Sequence, residues 1–493
     1  MNTEDNHFDL IVIGSGPGGQ KAAVQGAKAG LKVALVEREP KVGGACVYTG
    51  TIPSKTLREA ALAILAVKRS AGFLDVKMTG QTEIATLMTR LDSVLAAHDR
   101  LISSVFADND IRLFRGRGRL LDTHTVEVQS VKGKRTSLQA ETIVIATGSR
   151  PRNPPEIPVD HESILDSDSI LSTLYLPKSL TVVGGGVIAT EYATIFSLLG
   201  VQVTMIDRGP RPLGFLDPEL VDRFLEEFAN HGGVWLGNRA IDSVEVGRLG
   251  DVATTLRDGE VIRSEKMLCA LGRSANVEDL NLAEIGVTQG KYGVIQTDDH
   301  YRTSVSNIFA VGDVIGPPAL GSTSMEQGRR AVCHALGIDP GAPFDLVPIG
   351  IYAVPELSSV GLTEAQVIER HGGALVGRAD FSEVARAHIA GHGNGMLKLV
   401  TGPEGGKLLG VQIVGDGATD LIHVGEMALI NGNDVSVFLE NILNFPTYGE
   451  AYRIAALNLT NQARARKIAS VEPALAEVWR DSIDLQFGAL STG

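Results

Sequence analysis

Two segments of the chain share one order of apolar and polar positions. Residues 8–37, FDLIVIGSGPGGQKAAVQGAKAGLKVALVE, run from an apolar stretch through a glycine turn into an alanine-rich stretch, then a glycine and a second apolar stretch ending in an acid. Residues 179–207, SLTVVGGGVIATEYATIFSLLGVQVTMID, repeat that order. Short, uniformly apolar runs mark strands buried on both faces of a parallel sheet, and the alanine-rich stretches between them predict helices. Strongly helical stretches are expected over 54–69 and 83–108, and a further buried strand in residues 306–316, SNIFAVGDVIG. The proline-rich residues 150–158 predict a crossover linker. Hairpin-like segments follow the second unit to about Leu271. From about Pro348 strands alternate with helices, an α+β pattern. The fold class is therefore α/β, with two Rossmann-like dinucleotide-binding domains and a C-terminal α+β domain. The expected boundaries are 1–153 with 279–345, 154–278, 346–470, and a tail at 471–493.

Composition narrows the function. The chain has 493 residues, a formal charge of −13, 44% hydrophobic and 21% charged residues. This balance suits a large globular core. An acidic chain without a basic stripe argues against nucleic-acid binding, and neither a polybasic anchor nor a long apolar span points to a membrane. Residues 1–7 lack a signal-peptide pattern, and three scattered cysteines, Cys46, Cys269 and Cys333, make no disulfide scaffold. A reducing cytoplasm is the expected location. His388 and His392 have a spacing that can suggest a metal pair, but a glycine lies between them and no cysteine ligand is near, so no metal is expected.

The glycine turns carry the chemistry. In Gly14-x-Gly16-x-x-Gly19, the first glycine allows a tight turn, the second lets a pyrophosphate approach the backbone, and the third lets helix and strand pack. The helix N-terminus then offers unpaired N–H groups and its positive dipole end to phosphate. Glu37, closing the second strand, can bind ribose hydroxyls. The second unit has Gly184-x-Gly186-x-x-Ala189, followed by Glu191. Asp207 ends its second strand and favours a free ribose 2′-hydroxyl, as in NAD(H). Arg208 and Arg211 can pair with a 2′-phosphate, as in NADP(H), or be solvated loop residues. Two dinucleotide sites imply two dinucleotides, a flavin in one and a nicotinamide visiting the other.

The segment GGACVYTGTIPSKTLRE (43–59) resembles the flavin-disulfide signature of the dihydrolipoamide dehydrogenase and glutathione reductase family. IATGS (145–149), NIFAVGD (307–313) and FPTYGEAYR (445–453) are similar to its other motifs, and the resemblance spans about residues 8–466. It implies that FAD is held by Gly14, Gly16, Gly19, Glu37, Gly43, Gly44, Cys46, Lys55, Gly116, Thr147, Gly148, Asp313, Leu320 and Ser322. The nicotinamide dinucleotide would meet Gly184, Gly186, Ala189, Glu191, Asp207, Arg208, Arg211 and Gly272. Lys55 and Glu191 would form the catalytic pair beside the flavin, and Asp313 would bind its ribityl chain. A capping box, Thr323-x-x-Glu326, is expected to open a helix running to about Leu336, aimed at the flavin. A homodimer or larger homo-oligomer is also implied.

The departures from that family fall on one reaction. Its disulfide reductases carry Cys-x-x-x-x-Cys; here the same spacing gives Cys46 and Thr51. They also carry a histidine before the proline of the C-terminal motif, where this chain has Phe445. GTIPSK, TSMEQGR (323–329) and an aromatic before Pro-Thr look like the soluble pyridine nucleotide transhydrogenases. That subgroup implies hydride transfer between NADPH and NAD through bound flavin, without a redox-active disulfide. An NAD(P)H dehydrogenase passing electrons to quinones or dyes, and a dihydrolipoamide dehydrogenase-like flavoprotein, stay open as alternatives.

Overall fold

The computed structural model describes residues 6–70, 84–391 and 393–471. The described chain divides into two compact units, one holding residues up to Arg208 with Arg239–Pro343, the other Gly209–Asn238 with residues from Phe344 onward.

In the first unit, the apolar runs of both glycine segments are parallel strands. Strands Arg112–Arg115, Val33–Glu37, His7–Ile13 and Arg135–Ile145 lie side by side, and Ile308–Ala310 extends the row. Thr125–Gln129 and Arg117–Leu120 add antiparallel strands at the other end of Arg135–Ile145. Leu10, Ile11, Val12, Ile143, Val144 and Ile145 are fully buried, as a sheet covered on both faces requires. A second parallel row runs Gln202–Ile206, Ser179–Val183, Lys266–Cys269, Ile164–Leu165. Residues 241–264 form the expected antiparallel meander.

The helices follow the sequence closely. Pro17–Lys28 and Val187–Leu198 succeed the two glycine turns, and Thr51–Ser70 and Ile84–Asp108 match the two helical stretches. The proline-rich linker differs from expectation. Its start, Ser149–Pro151, is a strand paired antiparallel with Arg273–Ala275. Proline at the end of such a strand is tolerated because the ribbon has only two strands and its outer edge demands no further donor.

The second unit is a five-stranded antiparallel sheet, in the order Ile349–Ile351, Leu357–Gly361, Leu408–Val414, Met396–Thr401, Leu375–Asp380. Phe381, Phe438, Tyr452 and Leu459 fill its core with helix Glu450–Val471. Helix Pro218–Asn230 belongs to this unit and buries Leu220, Val221, Phe224 and Phe228. Among the described residues no helix is long and apolar enough to cross a membrane. The tail from 472 lies outside the described residues.

Candidate active site

The two glycine turns are built alike, strand by strand. Gly14 N–H bonds the Val36 carbonyl at 2.8 Å, and Gly184 N–H bonds that of Ile206 at 2.9 Å. Gly14 has φ +104° and Gly184 φ +121°, and an added Cβ would lie 2.4 Å from the Ala146 oxygen and 2.5 Å from the Ala270 oxygen. Both therefore have to be glycine. Gly19 is pressed onto Gly14, where a Cβ would come 1.9 Å from its carbonyl oxygen, whereas Ala189 is accommodated fully buried in the second unit. Gly16 and Gly186 differ from these: a Cβ on either would meet nothing within 4 Å. Each is the N-cap of its helix, and neither helix has a side-chain cap. The unpaired first-turn N–H groups thus face open space that a phosphate can enter.

Around the first turn the expected flavin residues converge. Glu37 is buried, and its Oε2 accepts from Ser15 N–H (2.9 Å) and the Ser15 hydroxyl (2.5 Å). The same hydroxyl accepts from Gly43 N–H at 3.0 Å, so Ser15 ties three of these segments together. Gly116 N–H bonds the Glu37 carbonyl at 2.9 Å, and Gly116 lines a cavity of about 570 Å³ with Arg38, Glu39 and Arg117. A Cβ on Gly44 would come 2.8 Å from Gly16 Cα, so two backbones touch there. Thr147 and Gly148 are knitted to Asn276: the Thr147 hydroxyl donates to the Asn276 carbonyl (2.7 Å), and Asn276 N–H to that of Gly148 (2.9 Å). The Ser149 hydroxyl donates to Asp313 Oδ2 at 2.6 Å and accepts from Arg273 Nε at 2.7 Å.

The reactive centre follows. Cys46 lies on helix Gly44–Tyr48, and a Cβ on Gly321 would sit 3.9 Å from its sulfur. Burial pushes the Cys46 thiol up, against a hydrogen bond to Thr51 and the charge of Lys55, so the neutral thiol is favoured. Cys46 is free, and Cys269 and Cys333 are buried. Lys55 Nζ donates to both oxygens of Glu191, at 2.8 and 2.7 Å. The two side chains are 24% and 6% exposed, so the pair opens on one side.

One expectation is corrected here. Thr323 caps nothing: the helix runs Gly321–Ala335 with Leu320 as its N-cap. The Thr323 hydroxyl donates back to the Pro318 and Leu320 carbonyls, and Glu326 pairs with Arg329 and Arg330. The N-cap lies three residues earlier than expected, because the Ser324 N–H to Leu320 carbonyl bond already closes the first turn and places Thr323 inside the helix. Leu320 and Ser322 thus stand at a third helix N-terminus without a side-chain cap.

In the second turn, Asp207 is half-buried and Arg208 exposed. Arg211 lies in the second unit and forms a two-pronged pair with Asp222, at 2.5 and 3.0 Å. Gly272 takes φ +101° and accepts from Arg152 N–H at 3.0 Å. His388 contacts the Ser382 carbonyl at 2.5 Å, and His392 lies outside the described residues. Sequence reasoning missed Ser15, Arg273 and Asn276. Ser15 occupies a variable position of the glycine pattern, and the other two act across more than 120 residues.

These features fit a flavin. Three uncapped helix N-termini, two of them opening on space, and backbone contact between two glycine loops suit a phosphate-bearing group, and the half-buried Lys55–Glu191 pair suits a ring beside it.

The comparisons agree with this geometry. Residues 8–332 match the family model for pyridine nucleotide-disulphide oxidoreductases, and residues 347–456 match that family's dimerisation domain. The soluble pyridine nucleotide transhydrogenase of Mycobacterium tuberculosis is 41% identical over 93% of this chain and 98% of its own length. That of Vibrio vulnificus is 40% identical over 93% and 99%. Among solved structures, LpdA from Mycobacterium tuberculosis is 26% identical with a TM-score of 0.84, covering 92% of this chain and 99% of its own. The flavoprotein disulfide reductase RclA from Escherichia coli, 24% identical with a TM-score of 0.83 over 92% and 99%, shares the fold. The chain belongs to the pyridine nucleotide-disulphide oxidoreductase family, with its dimerisation domain.

Proposed function

We propose that this protein is an FAD-dependent soluble pyridine nucleotide transhydrogenase, reversibly moving a hydride from NADPH to NAD⁺ without a redox-active disulfide. The observation that carries this is the contrast inside one site: the Lys55–Glu191 pair is intact, while Thr51 stands where a second thiol would be and Cys46 is a free, half-buried cysteine without a disulfide partner. Relatives about 40% identical over nearly their whole length bear the transhydrogenase name, which supports this reading over quinone reduction or lipoamide chemistry.

When bound, the flavin supplies a two-electron carrier between successive nicotinamides. Gly14, Gly16 and Gly19 would admit its pyrophosphate, Glu37 its adenosine ribose, and Asp313 its ribityl chain. Gly43, Gly44, Cys46, Gly116, Thr147, Gly148, Leu320 and Ser322 complete the cradle. The Lys55 ammonium would face the reacting ring, and Glu191 holds it in place and compensates its charge. Gly184, Gly186, Ala189 and Gly272 would seat the visiting dinucleotide, Asp207 binding an unphosphorylated ribose and Arg208 meeting a phosphorylated one. Arg211, occupied by Asp222, contributes least to that choice. The reaction is mainly alignment of two rings in a shielded site. A homodimer in the cytoplasm completes the proposal, and the match to the family's dimerisation domain supports the dimer.

Steady-state kinetics test the single-site scheme. Varying NADPH at several fixed NAD⁺ concentrations is expected to give parallel double-reciprocal lines. Intersecting lines would require both nucleotides bound together and would contradict it.

A further inference from the structure

We infer that Arg239 joins Arg208 in adapting the nicotinamide site to the 2′-phosphate, and that Asp258 and Glu260 hold Arg239 in reserve when the ribose is unphosphorylated. The inference rests on the transhydrogenase reading above. A site that takes both nucleotides in turn faces conflicting demands at one point. Asp207 accepts hydrogen bonds from a free 2′-hydroxyl but repels a 2′-phosphate. A cation is needed for the second task, yet must not neutralise Asp207 during the first.

The backbone puts Arg239 at that point. The chain leaves the first unit after Arg208 and re-enters it at Arg239, whose N–H bonds the Asp207 carbonyl at 2.9 Å. Arg239 is thus beside the ribose acid in space although far from it in sequence. Its guanidinium pairs with Asp258, and its Nη2 lies 3.5 Å from Glu260. Both acids belong to the turn joining strands Val252–Leu256 and Val261–Ser264, which is anchored next to Arg239 by the Arg257 N–H to Ala240 carbonyl bond at 2.9 Å.

The energetics favour a switch. The three side chains are 36%, 46% and 48% exposed. Ion pairs at such exposure contribute little to stability, so they are readily exchanged. A phosphate dianion offers the guanidinium the same two-pronged geometry as a carboxylate with a larger negative charge, so it can displace one. With two carboxylates against one guanidinium, the resting cluster also stays net negative, so Arg239 does not mask Asp207 while NAD(H) is bound.

The test uses the flavin-loaded enzyme and two probes, 2′,5′-ADP and 5′-ADP, titrated by calorimetry. Arg239→Ala is expected to weaken 2′,5′-ADP about tenfold while leaving 5′-ADP within about twofold. Arg239→Lys should restore part of the loss. The double variant Asp258→Asn, Glu260→Gln should tighten 2′,5′-ADP several-fold, since the competing acids are gone. Equal weakening of both probes by Arg239→Ala would show a scaffold role only and overturn the inference, as would no change in either. Failure of the transhydrogenase reading looks different: wild-type flavin bleached by NADPH would not recover with NAD⁺, whatever the ADP probes report.

Discussion

Two lysines in this chain, one buried and one half-buried, make a controlled comparison. Lys398, on strand Met396–Thr401, is 2% exposed and surrounded by Asp217, Glu219 and Glu364 at 2.7–3.0 Å. Lys55 is 24% exposed and pairs with both oxygens of Glu191. Lys398 is saturated: every donor has an acid, and Arg378 braces Glu219 from outside. Such a cluster fixes helix Pro218–Asn230 to the sheet and leaves nothing to offer a ligand. Lys55 is compensated but open on one side, which is what a cation acting on a bound ring requires. The helix ends tell the same story. Asp217 caps Pro218–Asn230 through Glu219 N–H, and Thr363 with Gln366 forms a full capping box on Glu364–His371. The three helices that start at Gly16, Gly186 and Leu320 carry no side-chain cap. A cap is worth ~1 kcal/mol; Ala418–Ile430 lacks one too, so it is the missing cap together with the open space at Gly16 and Gly186 that leaves room for a phosphate.

The sharpest way to break this contrast is to exchange the lysines' fates. Lys55→Ala should lower the rate of flavin reduction by NADPH by roughly 10²-fold or more while the protein still folds and stays yellow. Lys398→Met should do the reverse. Removing one partner of a buried cluster strands the others, so unfolding stability should drop by ~3–5 kcal/mol while turnover per folded molecule holds. Chemical denaturation and stopped-flow absorbance separate the two outcomes. If Lys398→Met lost hydride transfer at unchanged stability, the comparison would collapse.

The glycines sharpen it at smaller scale. Gly14→Ala forces a Cβ onto the Ala146 carbonyl at φ +104° and should destabilise the protein even without flavin. Gly16→Ala meets no protein atom, so the apoprotein's melting temperature should hold while flavin affinity falls. Equal loss of melting temperature in both variants would mean that the space before Gly16 serves folding.

The smallest effect concerns acid. Burial opposes ionisation of Glu219, but hydrogen bonds from Arg378 and Lys398 outweigh it and hold the carboxyl down to about 2. Its folded-state value lies below its unfolded one, so its stabilisation is present above the ordinary carboxylate range. That stabilisation fades as pH falls toward 2. Glu219→Gln should therefore flatten the fall of stability between about pH 4.5 and 2. An unchanged slope would show that Glu219 is not strongly coupled to Lys398 in solution.

How much of this was legible follows from range. The paired glycine turns were readable because their chemistry is local: strand, turn, helix and acid lie within thirty or so residues. Glu37 and Asp207 could be placed from that alone. The Lys55–Glu191 pair, 136 residues apart, came only through family resemblance. The Lys398 cluster, joining residues up to 181 apart, had no sequence signal, since a lysine in a strand reads as an exposed face. Thr323-x-x-Glu326 misled for a local reason. The capping pattern is real, but Leu320 had already closed the first turn, so the threonine points backward as a donor. The partner of Arg211, Asp222 on the following helix, carried no sequence signal either.

The central claim is that the site passes hydride between nicotinamides and not to a disulfide. Anaerobic titration of the yellow protein with NADPH, followed by NAD⁺, tests it most directly. Bleaching of the flavin band, then its recovery with formation of NADH, is the predicted result. Bleaching that NAD⁺ leaves in place, but that a quinone or a disulfide reverses, would contradict it.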